Sequence, residues 1–276
     1  MPSEPTTNRI DAAFHRLQAA GTPGFIAYVT GGDPNLEATV EIALALEKSG
    51  CDILELGVPF SDPLADGATI QAAAGRALAA GTTIEGLFDC LRKIRTMSEI
   101  PVVLFTYLNP VYAYGFERFH AAAAAAGADG VLILDLPPDE APLNAELSVT
   151  HGLRMIQLIA PTTPTTRMAT IAKSASGFIY YVSREGVTGE QSTLSDSIAS
   201  QVAEIRRHTA LPIAVGFGIS TAAQAAEVAI SADAVVVGSA IVRKIAESAP
   251  GSHVQAVTDF VTPLVEATRS VTRATN

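Results

Sequence analysis

The chain has 276 residues, with 18 basic against 28 acidic side chains, a formal net charge of −10 and 48% hydrophobic residues. A chain of this length buries roughly 75% of its unfolded surface and needs no metal or disulfide to support a core, and the two cysteines, Cys51 and Cys90, make no disulfide framework. The acidic balance argues against a nucleic-acid partner, no apolar run reaches the ~20 residues that span a membrane, and the start Met-Pro-Ser-Glu-Pro-Thr-Thr does not read as a secretory signal, so a cytoplasmic protein is expected.

In chain order, residues 8–20 are expected to form an amphipathic helix through Ile10, Phe14 and Leu17, plugging a barrel floor. Short β-branched apolar runs follow at 25–30, 53–58, 102–107, 131–134, 155–159, 178–182, 213–217 and 234–237. Between them, residues 36–48, 116–126, 164–175, 197–208 and 221–230 read as helices. The strand runs are almost continuously apolar, as parallel strands buried on both faces require. Alternation of this kind predicts a single (β/α)8 TIM barrel spanning residues 1–276, with an open doubly wound sheet as the alternative. An internal echo favours closure: Gly50-Cys51-Asp52, Gly127-Ala128-Asp129 and Ser231-Ala232-Asp233 each lead into an even-numbered strand. Two connections are long, 57–71 after strand two and 183–197 after strand six. Both fall at the C-terminal face, where this fold carries its chemistry.

Glu55 lies inside Ile53-Leu54-Glu55-Leu56, a strand otherwise built for burial. Desolvation raises a carboxyl pKa, so Glu55 is a candidate general acid or base, and an ion-paired structural carboxylate is the competing reading. Asp62 and Asp66 follow from the same strand end and, although each fits ordinary turn chemistry, could bring a second carboxylate to the same mouth. Gly216-Phe217-Gly218 closes strand seven, and Gly238-Ser239 joins strand eight to its helix. Glycine-freed amides at a helix N-terminus after those strands suit a phosphate group. Gly186-Val187-Thr188-Gly189 could add a lid. The histidines His15, His120, His151, His208 and His253 are scattered without ligand spacing, so no metal is expected. Lys173 and Lys244 fall in helices, away from any Schiff-base position. An acid/base reaction on a small phosphorylated molecule remains.

The stretch Leu54-Glu55-Leu56-Gly57-Val58-Pro59-Phe60-Ser61-Asp62-Pro63-Leu64-Ala65-Asp66-Gly67 closely resembles the signature of the tryptophan synthase α subunit family. The likeness continues through Tyr28–Pro34, Tyr107–Pro110, Asp135–Pro137, Ser183–Gly189, Gly216–Ile219 and Gly238-Ser239. It implies a lyase performing retro-aldol cleavage of indole-3-glycerol phosphate to indole and glyceraldehyde 3-phosphate. On that resemblance Glu55 is the acid/base and Asp66 holds the indole N–H. Tyr28, Tyr107, Tyr180 and the lid residue Thr188 contact substrate, while Gly189, Gly218, Gly238 and Ser239 bind phosphate. The resemblance also implies no cofactor in this chain and a pyridoxal-phosphate β subunit as partner in an αββα assembly. The 59–66 loop, the Asn109-Pro110 loop and the Asp135-Leu136-Pro137 turn would face that partner. The chain departs from the family pattern at Ala68, where proline is usual, and at Glu190-Gln191-Ser192, where a basic residue is expected. A stand-alone indole lyase and a non-catalytic regulatory paralogue are the alternatives.

Overall fold

The computed structural model describes residues 8–137, 140–182, 194–216 and 218–272. Parallel strands close into a barrel in sequence order: β1 (Gly24–Thr30), β2 (Ile53–Gly57), β3 (Val102–Thr106), β4 (Gly130–Ile133), β5 (Arg154–Ile159), β6 (Ile179–Val182), β7 (Ile213–Gly216) and β8 (Ala234–Val237), which returns to pair with β1. This is the (β/α)8 barrel that the alternation predicts. Around it run α1 (Arg9–Ala20), α2 (Leu36–Lys48), α3 (Ala68–Ala79), α4 (Ile84–Arg95), α5 (Leu108–Tyr114), α6 (Phe116–Ala126), α7 (Ala141–Thr150), α8 (Thr165–Ser174), α9 (Leu194–Arg206), α10 (Ala222–Ala229), α11 (Ser239–Glu247) and α12 (His253–Arg269).

Strand side chains alternate between two apolar layers. Ile26, Ile53, Val103, Leu132, Ile156 and Phe178 fill the barrel, whereas Phe25, Leu54, Leu104, Val131, Ile179 and Val235 pack outward under the helices. Helix α1 closes the floor as expected: Ile10, Phe14 and Leu17 join the interior layer, and the Phe14 ring lies 5.6 Å from that of Phe178. Asn8 starts this helix by accepting a hydrogen bond from the Ile10 amide at 2.9 Å.

The echoed aspartates explain themselves at the same end. Asp52 accepts from the Phe25 amide at 3.0 Å, Asp129 from Val102 at 2.8 Å and Asp233 from Ile213 at 2.8 Å. Each carboxylate at the entry of an even strand therefore ties down the start of the odd strand before it. Arginines neutralise them: Arg16 and Arg269 at Asp52, Arg9 and Arg95 at Asp129, Arg206 at Asp233. The remaining even strand, β6, uses a hydroxyl instead, with Ser176 Oγ accepting from the Met155 amide at 2.8 Å.

Many strand and helix ends shift by a residue or two from the sequence reading, and three differences concern the connections at the mouth. Asn109-Pro110 lies not in a loop but inside α5, because Pro110 occupies the first turn, where an amide hydrogen is not required. That helix is capped from outside by Asp135, whose Oδ1 accepts from the Leu108 amide at 2.6 Å. The end of the 57–71 connection is the first turn of α3, and α9 starts at Leu194.

Candidate active site

The C-terminal mouth of the barrel holds a cavity of about 620 Å³. Glu55 stands in its wall, in register with Tyr28 on β1 and Val103 on β3. Its side chain is 0% exposed and neither carboxyl oxygen has a hydrogen-bond partner among the described residues. Burial alone pushes its pKa up to about 8. A carboxyl of this kind holds its proton at neutral pH and can exchange it with a bound molecule.

Two tyrosines flank it. Tyr28 meets Phe105 edge-on at 5.3 Å, and Phe105 meets Tyr180 at 6.4 Å. Both phenols lie across the tops of strands only because glycine is there. A Cβ on Gly57 would sit 2.3 Å from the Tyr28 hydroxyl, and one on Gly216 would sit 2.4 Å from the Tyr180 hydroxyl. Burial raises the pKa of both tyrosines, so they remain neutral donors beside Glu55.

Asp66 reaches the cavity from the β2–α3 loop. It is half-buried and accepts a 2.9 Å hydrogen bond from the Tyr107 hydroxyl, which itself accepts from the Ala65 amide at 3.1 Å. Burial raises the Asp66 pKa, and the Tyr107 bond opposes that rise. Asp62 is exposed and pairs with the Ser61 hydroxyl outside the cavity.

Gly218, Gly238, Ser239 and Ala240 line the same cavity. Gly218 adopts φ +49°, a conformation glycine enters without strain. Helix α11 starts at Ser239 with no side-chain cap, which leaves first-turn amides and the positive end of its dipole for an anion. No lysine or arginine is among the described residues lining this cavity. Neither do the described residues bring together three His, Cys, Asp or Glu side chains able to hold a metal ion. His120 is on α6 and fully buried.

The structure thus brings Glu55, Asp66, Tyr28, Tyr180, Gly218, Gly238 and Ser239 to one cavity. Tyr107 stands behind Asp66 and does not line it. Thr188 and Gly189 lie outside the described residues. Phe105, Leu134 and Leu158 also line the cavity, although none was singled out from sequence. Strand parity could have found Phe105, because it follows by two the register partner of Glu55, Val103.

Known proteins resemble this chain in sequence and in fold. The family model described as Tryptophan synthase alpha chain matches residues 14–271. The tryptophan synthase alpha chain of Opitutus terrae is 52% identical over 241 residues, covering 87% of this chain and 91% of that protein. That of Geobacter sulfurreducens is 48% identical over 260 residues, covering 94% and 98%. The solved tryptophan synthase subunit alpha from Legionella pneumophila superposes with a TM-score of 0.89 at 38% identity, covering 96% of this chain and all of that one. A chain of Mycobacterium tuberculosis tryptophan synthase does so with a TM-score of 0.86 at 34% identity, covering 95% and 98%. The chain belongs to the tryptophan synthase alpha chain family.

Proposed function

We propose that this cavity performs the alpha reaction of tryptophan biosynthesis, cleaving indole-3-glycerol phosphate to indole and glyceraldehyde 3-phosphate, with Glu55 and Asp66 as its catalytic groups. The observation that carries the assignment is the buried Glu55 carboxyl, unpaired and raised to about 8, in a cavity whose rim includes the open N-terminus of α11. The carbon–carbon bond can break only once the ring carbon C3 is protonated and the ring nitrogen takes up positive charge. Protonated Glu55 donates to C3, and Asp66 as carboxylate accepts the indole N–H and stabilises that charge. Glu55, now ionised, removes the proton from the side-chain hydroxyl next to the ring as the bond electrons return to the indole. An aldehyde and indole leave, and Glu55 is protonated again. The two fragments sum to the substrate, so the step needs no redox partner.

Tyr28 and Tyr180 enclose the ring, Gly218, Gly238 and Ser239 receive the phosphate, and Tyr107 holds Asp66 in place. Thr188 and Gly189 complete the lid and phosphate cradle on the family resemblance. The protein acts in the cytoplasm, as one domain and without a cofactor of its own, and it passes indole to a pyridoxal-phosphate β subunit in an αββα assembly. The mouth offers apolar surface for that contact, with Leu64 89% and Tyr112 70% exposed.

The test is indole formation from indole-3-glycerol phosphate by the purified chain, alone and with a β subunit. Slow release that rises on adding the partner is expected, with loss of release in Glu55→Gln. Unchanged turnover in that variant overturns the catalytic assignment. Fast release indifferent to the β subunit points to an independent lyase.

A further inference from the structure

We propose that a second cavity, of about 580 Å³ between α7 and α8, binds a small carboxylate with an apolar body. The space arises from the helices that should fill it. Helix α11 buries Ile241, Val242 and Ile245, but α7 turns only Ala141, Asn144 and Ser148 inward and α8 only Met168. The layer over β4 and β5 is therefore underfilled, and Ile133, Leu136 and Ile171 are left as an apolar lining.

Gln157 gives this cavity its polarity. It sits on β5 between Met155 and Ile159 in the outward parity, where apolar residues otherwise occur. Its Nε2 is buried and has no hydrogen-bond partner among the described residues. A buried unmade hydrogen bond is costly, and an acceptor on a ligand body would satisfy it. Arg167 and Lys173, both exposed on α8, line the same cavity and make no ion pair among the described residues. They suit a carboxylate, and the volume falls in the range of small-molecule sites, roughly 300–1,000 Å³. Leu134, Leu158 and Thr162 line both this cavity and the Glu55 cavity, so the two share a wall.

The probe is 4-oxo-4-phenylbutyrate, which carries an apolar ring, a ketone acceptor and a carboxylate, titrated calorimetrically with and without saturating indole and glycerol 3-phosphate. Binding should be the same in both conditions. Ala145→Phe, which fills the cavity, and the double exchange Arg167→Glu with Lys173→Glu should each weaken it about tenfold or more, with indole release in the absence of probe unchanged. The double exchange alters only exposed side chains, so it decides the matter even if Ala145→Phe fails to fold. Absence of binding at millimolar probe, displacement by indole and glycerol 3-phosphate, or equal affinity in the double variant overturns the proposal.

Discussion

Strand β2 has one carboxylate at its entry and another at its midpoint, with opposite fates. Asp52 lies at the barrel floor, accepts a hydrogen bond from the Phe25 amide at 3.0 Å and is held by Arg16 at 3.3 Å and Arg269 at 3.4 Å. Glu55, about 10 Å further along the strand, is as deeply buried and makes no hydrogen bond among the described residues. The contrast extends to the two ends of the barrel. Burial raises the pKa of Asp129 too, but the Val102 amide, Arg95 and Arg9 oppose it, whereas nothing opposes the rise at Glu55. A buried carboxyl without a partner destabilises the fold and persists where chemistry needs it. Carboxylates at the floor fix backbone, and the one at the mouth is kept free to move a proton.

The largest break in this contrast is Glu55→Gln. Turnover should fall by about 10²–10⁴-fold, the range of acid/base catalysis, while the circular dichroism spectrum remains that of the wild type. Stability should move the other way with pH. Glu55 titrates near 8 folded and near 4.5 unfolded, so between those values the native state binds more protons and rising pH destabilises it. Glutamine removes that dependence. Its advantage over wild type in denaturant titrations should therefore grow between pH about 5 and about 9, reaching on the order of a few kcal/mol. No gain with pH would mean that Glu55 is not desolvated. Wild-type kcat/KM should correspondingly decline as pH passes about 8, because the protonated carboxyl starts the reaction.

At the floor, Asp129→Ala should do the reverse. It removes the acceptor of the Val102 amide and leaves Arg95, whose side chain is 10% exposed, without its carboxylate. Breaking such a pair costs about 3–5 kcal/mol, which urea denaturation would detect, while kcat of the folded fraction is unchanged. A kcat loss without destabilisation would mean that the two ends are not separable.

These roles were unequally legible in the sequence. Glu55 was visible because a charge interrupts an apolar strand, and Gly238-Ser239 because it follows the last strand run. The aspartate echo was visible as a pattern, yet its purpose was not, since Asp129 meets Val102 and Arg9 across 27 and 120 residues of chain. Asn109-Pro110 reads locally as a loop and becomes a helix through a cap supplied by Asp135. Tyr107 carried a motif, but its place behind Asp66 depends on how a loop 41 residues away folds back. The roles of Asp66 and Tyr180 came from resemblance, because neither spacing nor periodicity determines what a side chain meets at a barrel mouth.

Tyr107→Phe sharpens the comparison, since Tyr107 partly ties down a carboxylate at the mouth and the exchange releases it. The exchange deletes a donor to Asp66 and the acceptor of the Ala65 amide. Hydrogen bonds to charged groups contribute about 1.5–3 kcal/mol, so kcat/KM should fall by roughly ten- to a hundredfold. The Asp66 pKa should rise, since the bond that opposes desolvation is gone. The loss should therefore be steepest in acid, where Asp66 takes up a proton and can no longer stabilise the ring nitrogen. A pH-independent loss would assign Tyr107 to loop packing alone.

The smallest effect is expected where the floor uses a hydroxyl in place of a carboxylate. Ser176 Oγ accepts from the Met155 amide at 2.8 Å, and its own amide donates back to the Met155 carbonyl at 2.8 Å. Ser176→Ala keeps the backbone half of this exchange. The side chain carries no charge and has no arginine to strand, and its partly exposed position lets water reach the vacated amide. The variant should lose about 1 kcal/mol, or about 2 °C in Tm, against several kcal/mol for Asp129→Ala. A loss as large as at Asp129 would show that orphaning the strand amide, rather than stranding an arginine, dominates at this end, and the aspartate–arginine pairs would then contribute little beyond their single backbone bond.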